Sequence, residues 1–317
     1  GIRSLRTACL SSSLITVRFH SFSVFPFPTA HIQLKADDLA RLPGNFPQVA
    51  VNEMVDDVEL ALSFISDQLL KEVGGDPDNV TLIGQSAGAH LSLLYLLRTC
   101  ITTAVHTVKS RGGSAAPSWA VSKPAASPPR RLKRWVGISG PYDMTAMLPV
   151  MHKKGLHRRL ITALMGHDCP LNSPTHLVHS LVESASSNDP WRASCAAMVA
   201  SLLPPSMHLF HGMEDASVPV GMSRELADAL RGLGLAEVHE AYYEKKSHTD
   251  PILEDPISGR DVLMQDLLCL VMKGKASAVN RQGSEDAAGV EAGADAPYCP
   301  QLLPGVMLRL AKLANPF

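Results

Sequence analysis

Three residues of the types that carry out nucleophilic acyl transfer occur in the order Ser, Asp, His: Ser86 in "GQSAG", Asp215 in "HGMEDASVPV" and His248 in "EKKSHTD". A serine hydroxyl is a poor nucleophile at neutral pH. It needs a base to take its proton, and an imidazole base needs a carboxylate to hold its tautomer. Ser86 stands in G-x-S-x-G, where flanking glycines let the chain bend sharply and lift the hydroxyl off the end of a strand. The pentapeptide alone is short enough to arise by chance, so its neighbours decide. Glu214 is an alternative acid, whereas His211 and Asp250 read as structural neighbours. Ala87, directly after the serine, offers a backbone N–H to an oxyanion, with Gln85 on the other side of Ser86. A second oxyanion donor is expected from a glycine-rich H-G-G-type loop after an earlier strand. Residues 1–43 hold no such motif. Gly74-Gly75 closes a helix, and Arg111-Gly112-Gly113 comes after the bend.

The elements that must position these residues alternate between helix and strand. Val51, Val55, Val58, Leu62, Ile65 and Leu69 recur at helical spacing and stop at Gly74-Gly75. A β-branched run, Val80 to Ile83, leads into the bend, and a helix from Ala87 to about Arg98 follows. Further strands are expected at "RWVGIS", "MHLFHG" (207–212) and "EVHEAYYE" (237–244). Asp215 and His248 each come just after one of them. A strand near 14–19 is expected within an otherwise irregular 1–43. This grammar predicts a mostly parallel sheet flanked by helices, with atypical or incomplete N-terminal strands. The main domain is expected over 44–273, with a Gly-, Ser-, Ala- and Pro-rich insertion at about 108–130 and a lid-like segment at about 144–200. An acidic, Gly- and Ala-rich linker over 274–300 and an amphipathic helix within 301–317 follow.

Composition narrows the classes. A net charge of −1 gives no electrostatic case for nucleic acid. The six cysteines show no C-x-x-C, and read as reduced thiols of an intracellular or cytosol-facing chain. Thirteen histidines form neither H-x-x-x-H nor H-E-x-x-H, so no metal and no cofactor is expected. No apolar run reaches the roughly 18 residues of a membrane helix. The nearest, from Leu10 to Pro28, is broken by Arg18, His20 and two prolines. The chain begins at Gly1 rather than Met, which leaves room for a preceding segment. Met144, Met147, Leu148 and Met151 follow "SGPYD" at the expected catalytic edge. Flexible thioethers there suit a long, floppy apolar chain, and equally an ordinary lid.

The sequence resembles the plant isoprenylcysteine methylesterases (prenylcysteine alpha-carboxyl methylesterases). The similar stretches are "GNFPQ", "GGDPDNVTLIGQSAGAH", "KRWVGISGPYD", "SLLPPSMHLFHGMEDASVP", "YYEKKSHTD", "EDPISG" and "PGVMLRLAKLANPF". The resemblance implies an α/β-hydrolase fold and hydrolysis of the methyl ester on prenylated C-terminal cysteines. It makes Ser86 the nucleophile, Asp215 the acid and His248 the base, and implies attachment to endoplasmic reticulum or Golgi membranes. Residues 1–43 depart from the family pattern, which has membrane segments and an oxyanion loop there. The expected partner is thus a prenylcysteine methyl ester, with membrane association allowed and oligomeric state open. A general carboxylesterase, an arylformamidase-like hydrolase and a catalytically impaired binding module of the same fold are the competing readings.

Overall fold

A computed structural model describes residues 9–10, 13–18, 49–110, 131–251, 254–255 and 262–273. The expected linker over 274–300 and the helix within 301–317 lie outside these residues, as does the insertion from 111 onward. The described strands form one sheet in the order β1 (Cys9–Leu10), β2 (Ser13–Arg18), β3 (Thr81–Gln85), β4 (Arg134–Ile138), β5 (Ser206–Gly212) and β6 (Glu237–Tyr243). Strands β3 to β6 are its parallel, helix-flanked part, the core of an α/β fold. Strand β2 adds antiparallel to β3, with Ile15 opposite Gly84 and Arg18 opposite Thr81. The strand expected at 14–19 therefore exists, one residue earlier, and serves as the neighbour of β3.

All five residues of β3 and of β4 are buried, as parallel strands covered by helices must be. Helix α1 (Val51–Phe64) buries Val51, Val55, Val58 and Leu62, the stripe legible in the sequence. Its axis runs on through a π-helical turn, Ile65–Leu69, to Val73, and Gly74 ends it in the left-handed region with φ 64°. Helix α2 (Ala87–Ser110) packs on β3 and α1. It is about twice as long as expected, and Ala87–Lys109 is long and apolar enough to cross a membrane, a property no run in the sequence was expected to have. Most of it is buried inside the protein. Trp135 of β4 is fully buried and donates its indole N–H to Ser92 Oγ of α2 at 3.0 Å.

The lid-like segment folds as helices α3 (Met144–Lys153), α4 (Arg158–Leu164), α5 (Pro174–Ala185) and α6 (Pro190–Leu202). Asp143 caps α3, accepting from Thr145 N at 2.8 Å and Ala146 N at 3.0 Å. A buried polar knot ties this segment to α2. His90 Nε2 bonds the carbonyl of Asn172 at 2.7 Å, and Arg98 donates to the side chains of both Asn172 and Asn52. The Asn172 amide donates onward to the carbonyls of Met165 at 2.8 Å and Asp168 at 2.9 Å. Burial pushes the His90 imidazole down to about 4, with the Asn172 bond opposing and Arg98 assisting, and pushes Arg98 down to about 10. Cys100, Cys169 and Cys195 are free and buried, and burial pushes the Cys100 thiol up to about 12.

The chain divides into two compact units, 1–210 with 218–240 and 211–217 with 241–317. The first holds the apolar core from Val51 to Val238, including helix α7 (Gly221–Gly232). The second holds the ends of β5 and β6, the loops that follow them, and helix α8 (Val262–Lys273), where Tyr243 O–H donates to Asp266 at 3.0 Å.

Candidate active site

The bend after β3 is built as the glycine spacing predicts. Ser86 takes φ 54°, a left-handed conformation that costs a non-glycine residue on the order of 1–3 kcal/mol. Its N–H donates to the Ile138 carbonyl of β4 at 2.8 Å, while its carbonyl accepts from Ala89 N at 3.0 Å and His90 N at 3.2 Å, opening α2. Gly84 is required by contact. A Cβ there would lie 2.4 Å from the Gly88 carbonyl oxygen, so strand and helix approach through two glycines. Ser86 is half-buried, Gln85 buried and Ala87 exposed. Ala87 is the first residue of α2, so its N–H belongs to the first turn, whose donors have no acceptor within the helix.

In the second unit the turn after β5 and the loop after β6 interlock. Met213 N donates to the Tyr243 carbonyl at 2.9 Å, and Glu214 N to the Lys246 carbonyl at 3.0 Å. Gly212 makes this approach achievable, since a Cβ would sit 2.3 Å from that Lys246 oxygen. The loop is stapled by the Lys246–Asp255 ion pair, by Ser247 N donating to the Asp250 carboxylate, and by Asp255 N on the Asp250 carbonyl at 2.9 Å. These ties bring His248 Nδ1 to 2.7 Å from Asp215 Oδ2. Ser217 N donates to the other oxygen, Oδ1, at 2.8 Å. Glu214 is exposed, so it is Asp215 that meets the imidazole. A carboxylate only accepts, so Nδ1 donates to it, and in the neutral ring Nε2 is the nitrogen that accepts a proton, the tautomer a general base requires.

The family model described as "Carboxylesterase family" matches residues 41–168. Over 274 residues the chain is 31% identical to "Isoprenylcysteine alpha-carbonyl methylesterase ICME" of Arabidopsis thaliana, covering 86% of this chain and 55% of that protein. It is 32% identical over 274 residues to "Probable isoprenylcysteine alpha-carbonyl methylesterase ICMEL1" of Oryza sativa subsp. japonica, with the same 86% and 55% coverage. The chain is a homologue of the isoprenylcysteine methylesterases, within the α/β-hydrolase superfamily. It spans about half the length of the curated relatives it matches. Esterase B from Lactobacillus rhamnosis is a solved structure that it resembles at 16% identity and a TM-score of 0.41, over 63% of this chain and 52% of that one.

In this chain the four apolar positions after Asp143 divide in two. Met144 and Met147 are buried in the core, whereas Leu148 and Met151 are partly buried at its edge. Among the described residues no group of three or more His, Cys, Asp or Glu could hold a metal. Two further residues stand out in the geometry. His211, read as a structural neighbour, places Nε2 at 3.2 Å from Asp215 Oδ2, and both side chains are fully buried. The i, i+4 spacing around Gly212 was the available signal. Ser139 closes β4 with φ 50°, in the sheet row after Ile138, whose carbonyl accepts from Ser86. Its hydroxyl is buried without a hydrogen bond among the described residues, and nothing in "VGISG" signals that conformation.

Proposed function

We propose that this chain is a serine esterase that hydrolyses the methyl ester of isoprenylated cysteine, with Ser86 as nucleophile, His248 as base and Asp215 as the acid that orients it. The observation that carries the reading is the 2.7 Å bond from His248 Nδ1 to buried Asp215, which leaves Nε2 basic. Ser86 Oγ attacks the ester carbonyl carbon as its proton passes to His248 Nε2. The tetrahedral intermediate then expels the methoxy oxygen, which takes that proton and leaves as methanol. Water repeats the sequence on the acyl-enzyme and releases the free carboxylic acid. Asp215 stabilises the imidazolium that forms twice along this path, and the Ala87 N–H donates to the oxyanion, beside Gln85.

Hydrolysis of carboxylic esters is supported by the carboxylesterase match over 41–168 and by the methylesterase homologues. The choice of substrate is supported by the names of those relatives. Of the apolar group, Leu148 and Met151 are the members accessible to a prenyl chain, with Met144 and Met147 packed behind them. Residence at endoplasmic reticulum or Golgi membranes belongs to the same proposal and rests on resemblance; cell fractionation tests it. The family-model match favours a second reading, a general carboxylesterase. A fluorophosphonate probe should label wild type at Ser86 and leave Ser86→Ala unlabelled. Labelling of both equally would sink the esterase reading. A panel of farnesylcysteine methyl ester, p-nitrophenyl esters and N-formylkynurenine then ranks the substrate classes by kcat/KM.

A further inference from the structure

We propose that His211 is a positioning residue for the acid–base pair: its Nε2–H is a second imidazole donor on the carboxylate oxygen that orients His248. The inference deepens the esterase reading and rests on it. Two imidazoles converge on Asp215 Oδ2, His248 Nδ1 at 2.7 Å and His211 Nε2 at 3.2 Å, while Ser217 N holds Oδ1 at 2.8 Å. Because the carboxylate accepts from both, the two rings carry their protons on different nitrogens, Nε2 in His211 and Nδ1 in His248.

Only one of them can serve as the base. The His211 side chain is 0% exposed at the end of β5, whereas that of His248 keeps 13% on the loop after β6. His211 is therefore walled off from substrate, and its role acts through Asp215. That role follows from the chain's connectivity. His211, Gly212 and Asp215 belong to one strand end and turn, so the His211 donor and the Ser217 N–H orient the carboxylate from within its own segment. The loop carrying His248 then meets an acceptor already aimed. A carboxylate with one donor fewer swings about its Cβ–Cγ bond, and the His248 ring swings with it. Preorganisation of this kind acts on the rate of the chemical steps rather than on ground-state binding.

The test compares His211→Leu, His211→Gln and His211→Asn with wild type on p-nitrophenyl acetate, with thermal melting in parallel. The far-downfield proton resonance of His248 Nδ1–H is recorded for each by NMR. His211→Leu should lose about tenfold to a hundredfold in kcat with KM little changed, the span expected for one hydrogen bond to a charged group. Gln carries an N–H at the end of a side chain long enough to reach Asp215, and should recover most of that loss; the shorter Asn should not. The resonance should move in the Leu and Asn variants and return in Gln. Wild-type kcat in His211→Leu would overturn the inference, as would a Gln variant no better than Asn at equal melting temperature. Should His211→Leu not fold, the Gln–Asn comparison decides. If the wild-type chain hydrolyses no ester, the esterase reading is what fails. An unmoved resonance in His211→Asn then overturns the positioning role as well, and a moved one upholds the hydrogen-bond relay.

Discussion

Ser86 and His248 are the residues on which the proposed chemistry turns, and neither belongs to the apolar core, so their removal should separate activity from folding. Ser86→Ala and His248→Ala should each abolish ester turnover while melting within a few degrees of wild type. The double variant should be scarcely worse than either single one, because nucleophile and base act as a unit in the proposed mechanism. Asp215→Asn should lower kcat by about 10⁴, the effect of forcing the base into the wrong tautomer. Glu214→Gln, at an exposed side chain one position earlier, should stay within a few fold of wild type. A reversal of those two results would reassign the acid. Gly84→Ala belongs to a different class. Its Cβ would collide with backbone of α2 at 2.4 Å, so loss of soluble folded protein, read by circular dichroism, is expected at this position.

At the scale of elements, the buried imidazoles that lock strands and helices make stability depend on pH. Burial pushes His90 from 6.5 down to about 4, and burial with the nearby His239 and Arg134 pushes His208 on β5 down to about 3. A histidine whose folded pKa lies below its unfolded value is held neutral by folding. Each therefore stabilises fully above about 6.5 and loses that contribution as pH falls toward the folded value, with His90 worth on the order of 3 kcal/mol. Asp57 of α1, raised to about 6 by burial and by Asp56, opposes this by favouring the folded state as it protonates. With two histidines against one carboxylate, urea-unfolding stability should fall between pH 7 and pH 4. His208→Gln should make the decline shallower, and an unchanged slope would show that His208 does not titrate on unfolding. Much of this frame was legible in advance. The turn at Ser86 announced itself because two glycines and a β-branched run are required for so tight a strand-to-helix contact. The Asp215–His248 pair was legible from order and from each following a strand. Helix α2 was read short because its second half, Thr99 to Val108, is rich in Thr and Val, whose local preference is overridden by burial of Thr99, Cys100, Ile101, Ala104 and Val108. His211 escaped because its i, i+4 spacing to Asp215 runs through a strand end and a turn, where spacing alone does not bring side chains together.

At the scale of the whole molecule, the chain spans about half the length of its curated relatives, and residues 19–48 precede the first described helix without an H-G-G-type motif. Oxyanion stabilisation is commonly the largest electrostatic contribution to acyl transfer, and one missing donor costs about 10² to 10³ in rate. The expected outcome is slow turnover of farnesylcysteine methyl ester alongside ready labelling by a reactive fluorophosphonate, which depends less on that donor. A kcat equal to that of one of the longer relatives measured side by side would locate a second donor in this chain. Substrate length is the other test at this scale. Each buried CH₂ contributes about 0.8 kcal/mol at most, so farnesyl should exceed a short aliphatic cysteine ester by orders of magnitude in kcat/KM. Met151→Ala should narrow that gap with little loss of stability, because Met151 is partly exposed where Met147 is not.

The sealed thiols give the molecule a built-in clock. Cys100 lies fully buried on α2 with its thiol pushed up to about 12, so in the closed protein it offers an alkylating reagent almost no thiolate and no path. Cys269 on α8 is partly exposed and supplies an internal reference on the same chain. The ratio of the two alkylation rates therefore reports how often the core around α2 opens, without any substrate and without an active nucleophile. Opening events too rare to alter a melting curve would register as slow, first-order modification at Cys100. Comparing that ratio between wild type and Asn172→Ala would measure how firmly the Asn172 side chain, through Arg98 and the carbonyls of Met165 and Asp168, keeps helix α2 shut.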